Sequence, residues 1–237
     1  MAKRHLTRKE IKQPDQFVSS SAQIMEWAKR HVNYLFYGMF GIIILIGLLV
    51  AWSAWQKQRQ QQAEELLYDA VKSLSLGGSP KGSTPSQALT HLQYITEKFN
   101  STPAAAFAYW YLGHLHFEQK NYVAALAAYH QAQRRFSHQH DLLMPILVTL
   151  NIGYTQEVAG LYDEAIGSFE QVLRSSASWL RGETFLGIGR CYEQKGAIVQ
   201  AIATYERALS DSAVDSATRQ KIEGQLTRLR STQGHTK

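Results

Sequence analysis

Three glycines, Gly113, Gly153 and Gly189, each stand twelve residues before an alanine (Ala125, Ala165, Ala201), and each alanine stands four before an aromatic ring (Tyr129, Phe169, Tyr205). This register restricts the fold more tightly than anything else in the chain. The glycines fall 40 and 36 residues apart. Apolar residues around them recur at three- and four-residue steps, the period of a helix with one buried face. Small residues at both marked positions let two consecutive helices approach. The ring then fills the gap to the next pair. One pair cannot bury its apolar face alone, so pairs must stack.

The first copy reads Tyr109, Leu112, Gly113, His116, Tyr122, Ala125, Tyr129, Ala132. The second reads Thr149, Ile152, Gly153, Gln156, Gly160, Tyr162, Ala165, Phe169, Val172, and the third Phe185, Ile188, Gly189, Tyr192, Gly196, Ala201, Tyr205, Ala208. The pattern resembles the tetratricopeptide repeat, whose undisturbed period is about 34 residues. The excess in the first interval sits in FSHQHDLL, 136–143, read as a lengthened inter-repeat loop. The resemblance implies an α-solenoid. Residues 103–230 are expected to hold three such repeats and a C-terminal capping helix. Asp215 or Ser216 caps that helix, and Ala217, Ile222, Leu226 and Leu229 line its one apolar face. Residues 231–237 are expected to fray.

A second constraint lies near the N-terminus. Leu35 to Trp55 is a run of 21 residues without a charge. As a helix it would rise about 30 Å, the thickness of the bilayer hydrocarbon core. Tyr34, Tyr37, Trp52 and Trp55 stand at its ends, where amphipathic rings suit the membrane–water interface. The bulky closing residues and the long preceding segment speak against a cleaved signal. We expect a disordered basic tail at 1–20, an interfacial helix at 21–33 capped by Ser21, and a transmembrane helix at 34–56. Residues 57–102 are expected to form a degenerate helical hairpin, with Ala63, Leu66, Leu67, Ala70, Val71 and Leu74 facing Ala88, Leu92, Ile95 and Phe99 across a Gly-Ser loop at 77–86. The fold class is therefore all-α, a single transmembrane helix followed by a tetratricopeptide-repeat α-solenoid.

The charge is uneven. Residues 1–31 hold seven Lys or Arg against three acids, so +4 of the chain's +6 lies in the tail. Residues 57–237 hold eighteen against sixteen, only +2. A nucleic-acid binder needs a basic face on its folded domain, so nucleic acid is not an expected partner. Basic residues in a short flanking tail favour the cytoplasmic side. The expected placement is a single-pass inner-membrane protein, with the N-terminus cytoplasmic and the C-terminal domain periplasmic in a Gram-negative cell.

Catalytic chemistry finds little support. Phosphate-binding Gly loops, H-E-x-x-H and G-x-S-x-G are all missing from the sequence. Among nine histidines, His114 and His116 point about 200° apart on a helix and cannot share a metal. His138, His140 and Asp141 in the long loop are the only metal candidates. Cys191, beside Gly189 and Tyr192, reads as a buried inert thiol. No enzyme activity and no cofactor are expected.

The better candidate is a groove on the concave side. Its expected lining is Trp110, His114 and Phe117; Leu150, Tyr154 and Glu157; Leu186, Arg190 and Glu193, each trio one stripe on a helix. Such a groove suits an apolar helix or extended peptide. For Trp110 and Phe117 the alternative is packing against the preceding hairpin.

The junction WSAWQKQRQQQAEELLYDAVKSL, residues 52–74, together with the span and the repeats, resembles the bacterial ancillary SecYEG translocon subunit family. The resemblance covers about residues 30–230 and implies association with the Sec translocon and periplasmic chaperones, without catalytic residues. The tail TRKEIKQPDQF is longer than that family's pattern. Two other classes share the architecture: an envelope scaffold for cell division or membrane-complex assembly, and a lipid- or metal-binding protein.

Overall fold

A computed structural model describes residues 25–27, 29–75, 85–137 and 141–234. Among them there is no β-strand. The basic tail, Ser21, Ile24, most of the Gly-Ser loop, His138 and His140 lie outside the described residues. The chain divides into two compact units, Met1–Lys57 and Gln58–Lys237.

In the first unit, Trp27 and His31 stack at 4.9 Å, and the His31 N–H donates to the Trp27 carbonyl at 3.1 Å. Helix α1 then runs over Val32–Ser75. Its apolar stretch has a mean hydropathy of 2.4 and is not buried at all, so by length and composition it is able to cross a membrane. Trp52 and Trp55 pack at 5.5 Å near the end of that stretch.

In the second unit the last part of α1 becomes amphipathic. Ala63 and Ala70 are fully buried, and the hydroxyl of buried Ser73 donates back to the Ala70 carbonyl at 2.6 Å. Helix α2 (Pro85–Lys98) contributes Leu92 and Ile95. These residues share one core cluster with Ala104, Ala105 and Ala108 of α3 (Pro103–Glu118). The repeats follow as α3 with α4 (Tyr122–Phe136), α5 (Met144–Val158) with α6 (Tyr162–Leu173), and α7 (Arg181–Gln194) with α8 (Ile198–Ser210). Each pair packs internally, and α4 on α5 and α6 on α7 link the pairs in series. A short turn of 3-10 helix, Ser178–Leu180, precedes α7. Helix α9 (Ser216–Gly234) closes the stack against α8 and α7, reaching into the stretch expected to fray.

Local chemistry explains the boundaries. Proline stands in the first turn of α2, α3 and α5, where its missing N–H costs nothing. One Asp141 carboxylate oxygen accepts the N–H groups of Leu143 and Met144 at 2.8 and 3.1 Å, which fixes the end of the long loop. Asp215 caps α9 by accepting from the Thr218 N–H at 3.0 Å and its hydroxyl at 2.7 Å. The turn inside each repeat is the same. Lys120, Gly160 and Gly196 have φ of 60°, 79° and 72°, and the next residue's N–H bonds five residues back to His116, Gln156 or Tyr192. This left-handed closure satisfies carbonyls at the helix end.

The repeat glycines have a specific cause. A β-carbon at Gly153 would stand 2.8 Å from the Phe169 ring, and at Gly113 and Gly189 it would overlap Tyr129 and Tyr205 more deeply. The glycine therefore makes room for the ring of its own pair rather than for a bare backbone approach. Phe169 reaches further, since a β-carbon at Gly187 of the next repeat would also stand 2.8 Å from it. All three rings are buried to 1% exposure or less, and burial of a ring this size contributes about 1.5–3 kcal/mol.

Candidate functional site

First helices of successive repeats lie side by side, α5 against α7 directly. Between α3, α4, α5 and α7 is a cavity of about 450 Å³. His114 and Phe117 enter it from α3, Tyr129 from α4, Tyr154 and Glu157 from α5, and Arg190 from α7. Asn151, Thr155 and Val158 of α5 complete the lining. The helical period sets this arrangement: residues four and seven positions after the start of each expected trio project from one face.

Four of the nine lining residues are rings. His114 meets Tyr129 edge-on at 5.4 Å and Trp110 at 4.7 Å, and Tyr154 meets Phe169 at 5.3 Å. The Asn151 side-chain amide lies 3.3 Å from His114 Nε2, which accepts from it when the ring is neutral. Burial lowers the His114 pKa, opposed by the Glu118 carboxylate, so the ring is neutral near pH 7. Tyr154 is pushed up to about 12, first by burial and then by the nearby Glu183 carboxylate.

The polar part is a fork. Arg190 donates from Nε and a terminal nitrogen to the two Glu157 oxygens at 2.7 and 2.8 Å. The Glu157 side chain is 13% exposed and that of Arg190 39%, so the pair sits half in the wall and half in the mouth of the cavity. Hydrogen bonding to Glu157 raises the Arg190 pKa, against the effect of burial. This geometry fixes one charge against another and leaves an apolar, ring-lined surface beside it.

The nine expected residues do not all point the same way. His114, Phe117, Tyr154, Glu157 and Arg190 line the cavity. Leu150 and Leu186 are only 8% and 6% exposed and pack into the cores of the second and third repeats. Glu193 accepts the Tyr205 hydroxyl at 2.7 Å and pairs with Arg228 of α9, so the capping helix engages it. Trp110 and Phe117 pack on the cluster of Tyr129, Phe136, Val148 and Ile152, not on the cluster of the preceding hairpin.

Helical spacing did not nominate Asn151, Thr155, Val158 or Tyr129, nor the linkage between repeats. Glu157 and Arg190 are 33 residues apart, Glu193 and Arg228 35, and Asp163 and Lys195 32, each short of the 36 residues between Gly153 and Gly189, so the repeat register did not point to them. The partners therefore stand at staggered, non-equivalent places, since Glu157 lies four residues past Gly153 and Arg190 one past Gly189.

Other candidates from the sequence lie elsewhere. Cys191 is fully buried in the second cluster, and burial pushes its thiol up to about 12. No group of three or more metal-ligating side chains occurs among the described residues. Asp141 is engaged with the N-terminus of α5.

Residues 26–231 match the family described as a tetratricopeptide repeat-like domain. No curated protein matches the sequence. Two solved structures, titled "Crystal structure of MamA protein" and "Crystal structure of MamA", share this fold. The first superposes with a TM-score of 0.52 at 22% identity over 65% of this chain and 75% of its own. The second gives 0.51 at 21% identity over 65% and 83%.

Proposed function

Because the chain belongs to the tetratricopeptide repeat-like domain family, we propose that it is a membrane-anchored scaffold that holds protein partners in the groove between its first helices. The observation that carries this reading is the 450 Å³ cavity lined from three repeats, with rings from the first two and the Glu157–Arg190 fork reaching across to the third. An apolar side chain of a partner helix or extended segment fits the rings, and its backbone or polar neighbours meet the fork. Residues 34–56 serve as the anchor and 57–230 as the platform. Tethering raises the local concentration of the platform beside a membrane partner without any added contact. The platform performs no turnover chemistry in this reading.

The partners are the Sec translocon and periplasmic chaperones. What supports this is the likeness of residues 52–74 and of the whole order, span then hairpin then repeats, to translocon accessory subunits. The basic tail then lies in the cytoplasm and the repeats in the periplasm.

The test uses the full chain in its own membrane. A photo-crosslinking residue replaces Val158, which lines the cavity and is 52% exposed. Crosslinks to a translocon subunit or a chaperone are expected. Crosslinks only to cell-division or respiratory-assembly proteins would move the protein to the alternative envelope-scaffold reading. A reporter active only in the periplasm, fused after Lys237, is expected to be active, and a stable but silent fusion would reverse the orientation.

A further inference from the structure

A second cavity, of about 320 Å³, shares no lining residue with the groove. It lies between α6, α7 and α8, and its lining is polar where the groove's is apolar. Arg174 enters from the residue that caps the end of α6, Arg181 and Tyr192 from α7, and Thr204 and Arg207 from α8. Glu170 is the one carboxylate that lines it.

The charges around this cavity do not cancel. Arg174 meets Glu170 at 3.7 Å, both side chains at least half exposed, a contact of little strength. Arg181 binds Asp211 at 2.6 Å and the Leu173 carbonyl at 3.0 Å. Asp211 is shared, because Arg219 also lies close enough to help hold its carboxyl below the usual carboxylate range, after the Ala213 N–H as the first cause. No carboxylate pairs with Arg207 among the described residues. Three guanidiniums thus line the cavity, with Glu170 on its wall and Asp211 behind Arg181 as the carboxylates that meet them. Arg181 and Arg207 are held on one ring, their guanidinium carbons 5.8 and 5.7 Å from the Phe185 centroid. Two like charges from different helices thus gather on one ring, and of the two only Arg181 has a carboxylate partner among the described residues.

Guanidinium forks match carboxylate and phosphate oxygens with two parallel hydrogen bonds. The cavity exceeds a single small ion in size and has Tyr192 in its wall beside the arginines, while the Thr204 hydroxyl donates to the Gln200 carbonyl at 2.8 Å. We propose that this pocket is a second partner site, which takes the side-chain carboxylates of an acidic peptide segment. It stands independently of the groove, on different residues and different chemistry.

The experiment titrates the full chain, in detergent micelles, into a tetraglutamate peptide carrying a neutral fluorophore and follows anisotropy. Binding that weakens with added salt is expected. Arg174→Gln with Arg207→Gln is expected to weaken it about tenfold or more, since each loses charge-assisted hydrogen bonds. Neither side chain holds a core, and circular dichroism confirms the fold. Should the pair melt early, Arg174→Glu alone, on a side chain 69% exposed, makes the same test. Lys221→Gln, whose ammonium meets Glu183 on the surface at 3.7 Å, and Val158→Asp in the groove are expected to leave peptide binding unchanged. No binding by the unaltered chain, or equal binding by the arginine variants, would overturn the site. Inorganic phosphate competing as well as the peptide would overturn the acidic-peptide assignment in favour of a phosphate ligand. Loss of binding with Val158→Asp would place the peptide in the groove instead.

Discussion

Between the first repeat, α3 with α4, and the third, α7 with α8, one position is constant and two are not. Gly113 and Gly189 both lie beneath a buried tyrosine ring. Seven residues on, the turn is closed by Lys120 in one and Gly196 in the other, with the same left-handed backbone and the same hydrogen bonds. One residue past the ring-bearing glycine, the groove receives His114 in one and Arg190 in the other. The difference separates three kinds of demand. Beneath the ring no side chain fits, so the requirement is absolute. At the turn a side chain fits but the backbone is disfavoured, at a cost of about 1–2 kcal/mol. In the groove neither limit applies, and the residue type differs with the side chains it meets there, Tyr129 and Asn151 for His114 and Glu157 for Arg190.

The sharpest way to break this ordering is Gly189→Leu. Its β-carbon would enter the Tyr205 ring, and overpacking of this kind costs about 3 kcal/mol. At Gly224 of α9 a β-carbon would meet no atom within 4 Å, so Gly224→Ala is expected to stabilise the helix by about 1 kcal/mol. Thermal melts of the full chain compare the two, and a similar change in both would show that the ring does not dictate the glycine.

Next comes Arg190→Ala, which strands Glu157 at 13% exposure and is expected to cost about 2 kcal/mol, below the range for fully buried pairs because the mouth is wet. Removing Glu157 as well should recover most of that loss. A double variant as unstable as the sum of the singles would mean that the two side chains act independently and that no stranded charge accounts for the loss.

The turn gives a smaller effect of opposite sign in the two repeats. Gly196→Ala should destabilise by about 1 kcal/mol, whereas Lys120→Gly should gain a fraction of that, because glycine accepts positive φ but adds freedom to the unfolded chain. Equivalent responses in chemical denaturation would contradict the shared geometry.

Acidification should produce the smallest change. His114 has a lowered folded-state pKa, so the unfolded chain takes up its proton first. Stability from this site is full above the ordinary histidine value of about 6.5 and is lost as pH falls below it toward the folded value. His114→Gln should flatten the melting temperature across that window, and an unchanged slope would assign it to other groups.

How much of this was legible in the sequence follows from range. The three Gly-to-Ala-to-ring registers lie within one helix pair, and short-range sterics made them readable. The turn was half legible, since Gly160 and Gly196 advertise positive φ and Lys120 does not. The groove was legible only in part. Helical spacing nominated His114, Tyr154 and Arg190, which do line one cavity, but it also nominated Leu150 and Leu186, which the neighbouring helices bury. Spacing tells which residues share a stripe, and it does not tell how far the next helix covers that stripe. The guanidinium cluster of Arg174, Arg181 and Arg207 gave no local signal, because its members come from the end of α6, from α7 and from α8.

The sequence by itself determined the helices, their pairing and the repeat register, along with a run apolar enough to cross a membrane. Each of these follows from periodicity and from sterics between residues near in the chain. Only the tertiary structure decided which side chains of the exposed stripes meet across repeats: Glu157 with Arg190, Glu193 with Arg228, Phe169 against Gly187. Those contacts depend on the rotation between one helix pair and the next. That rotation is set by the summed packing of many residues, and no single stretch of the chain encodes it.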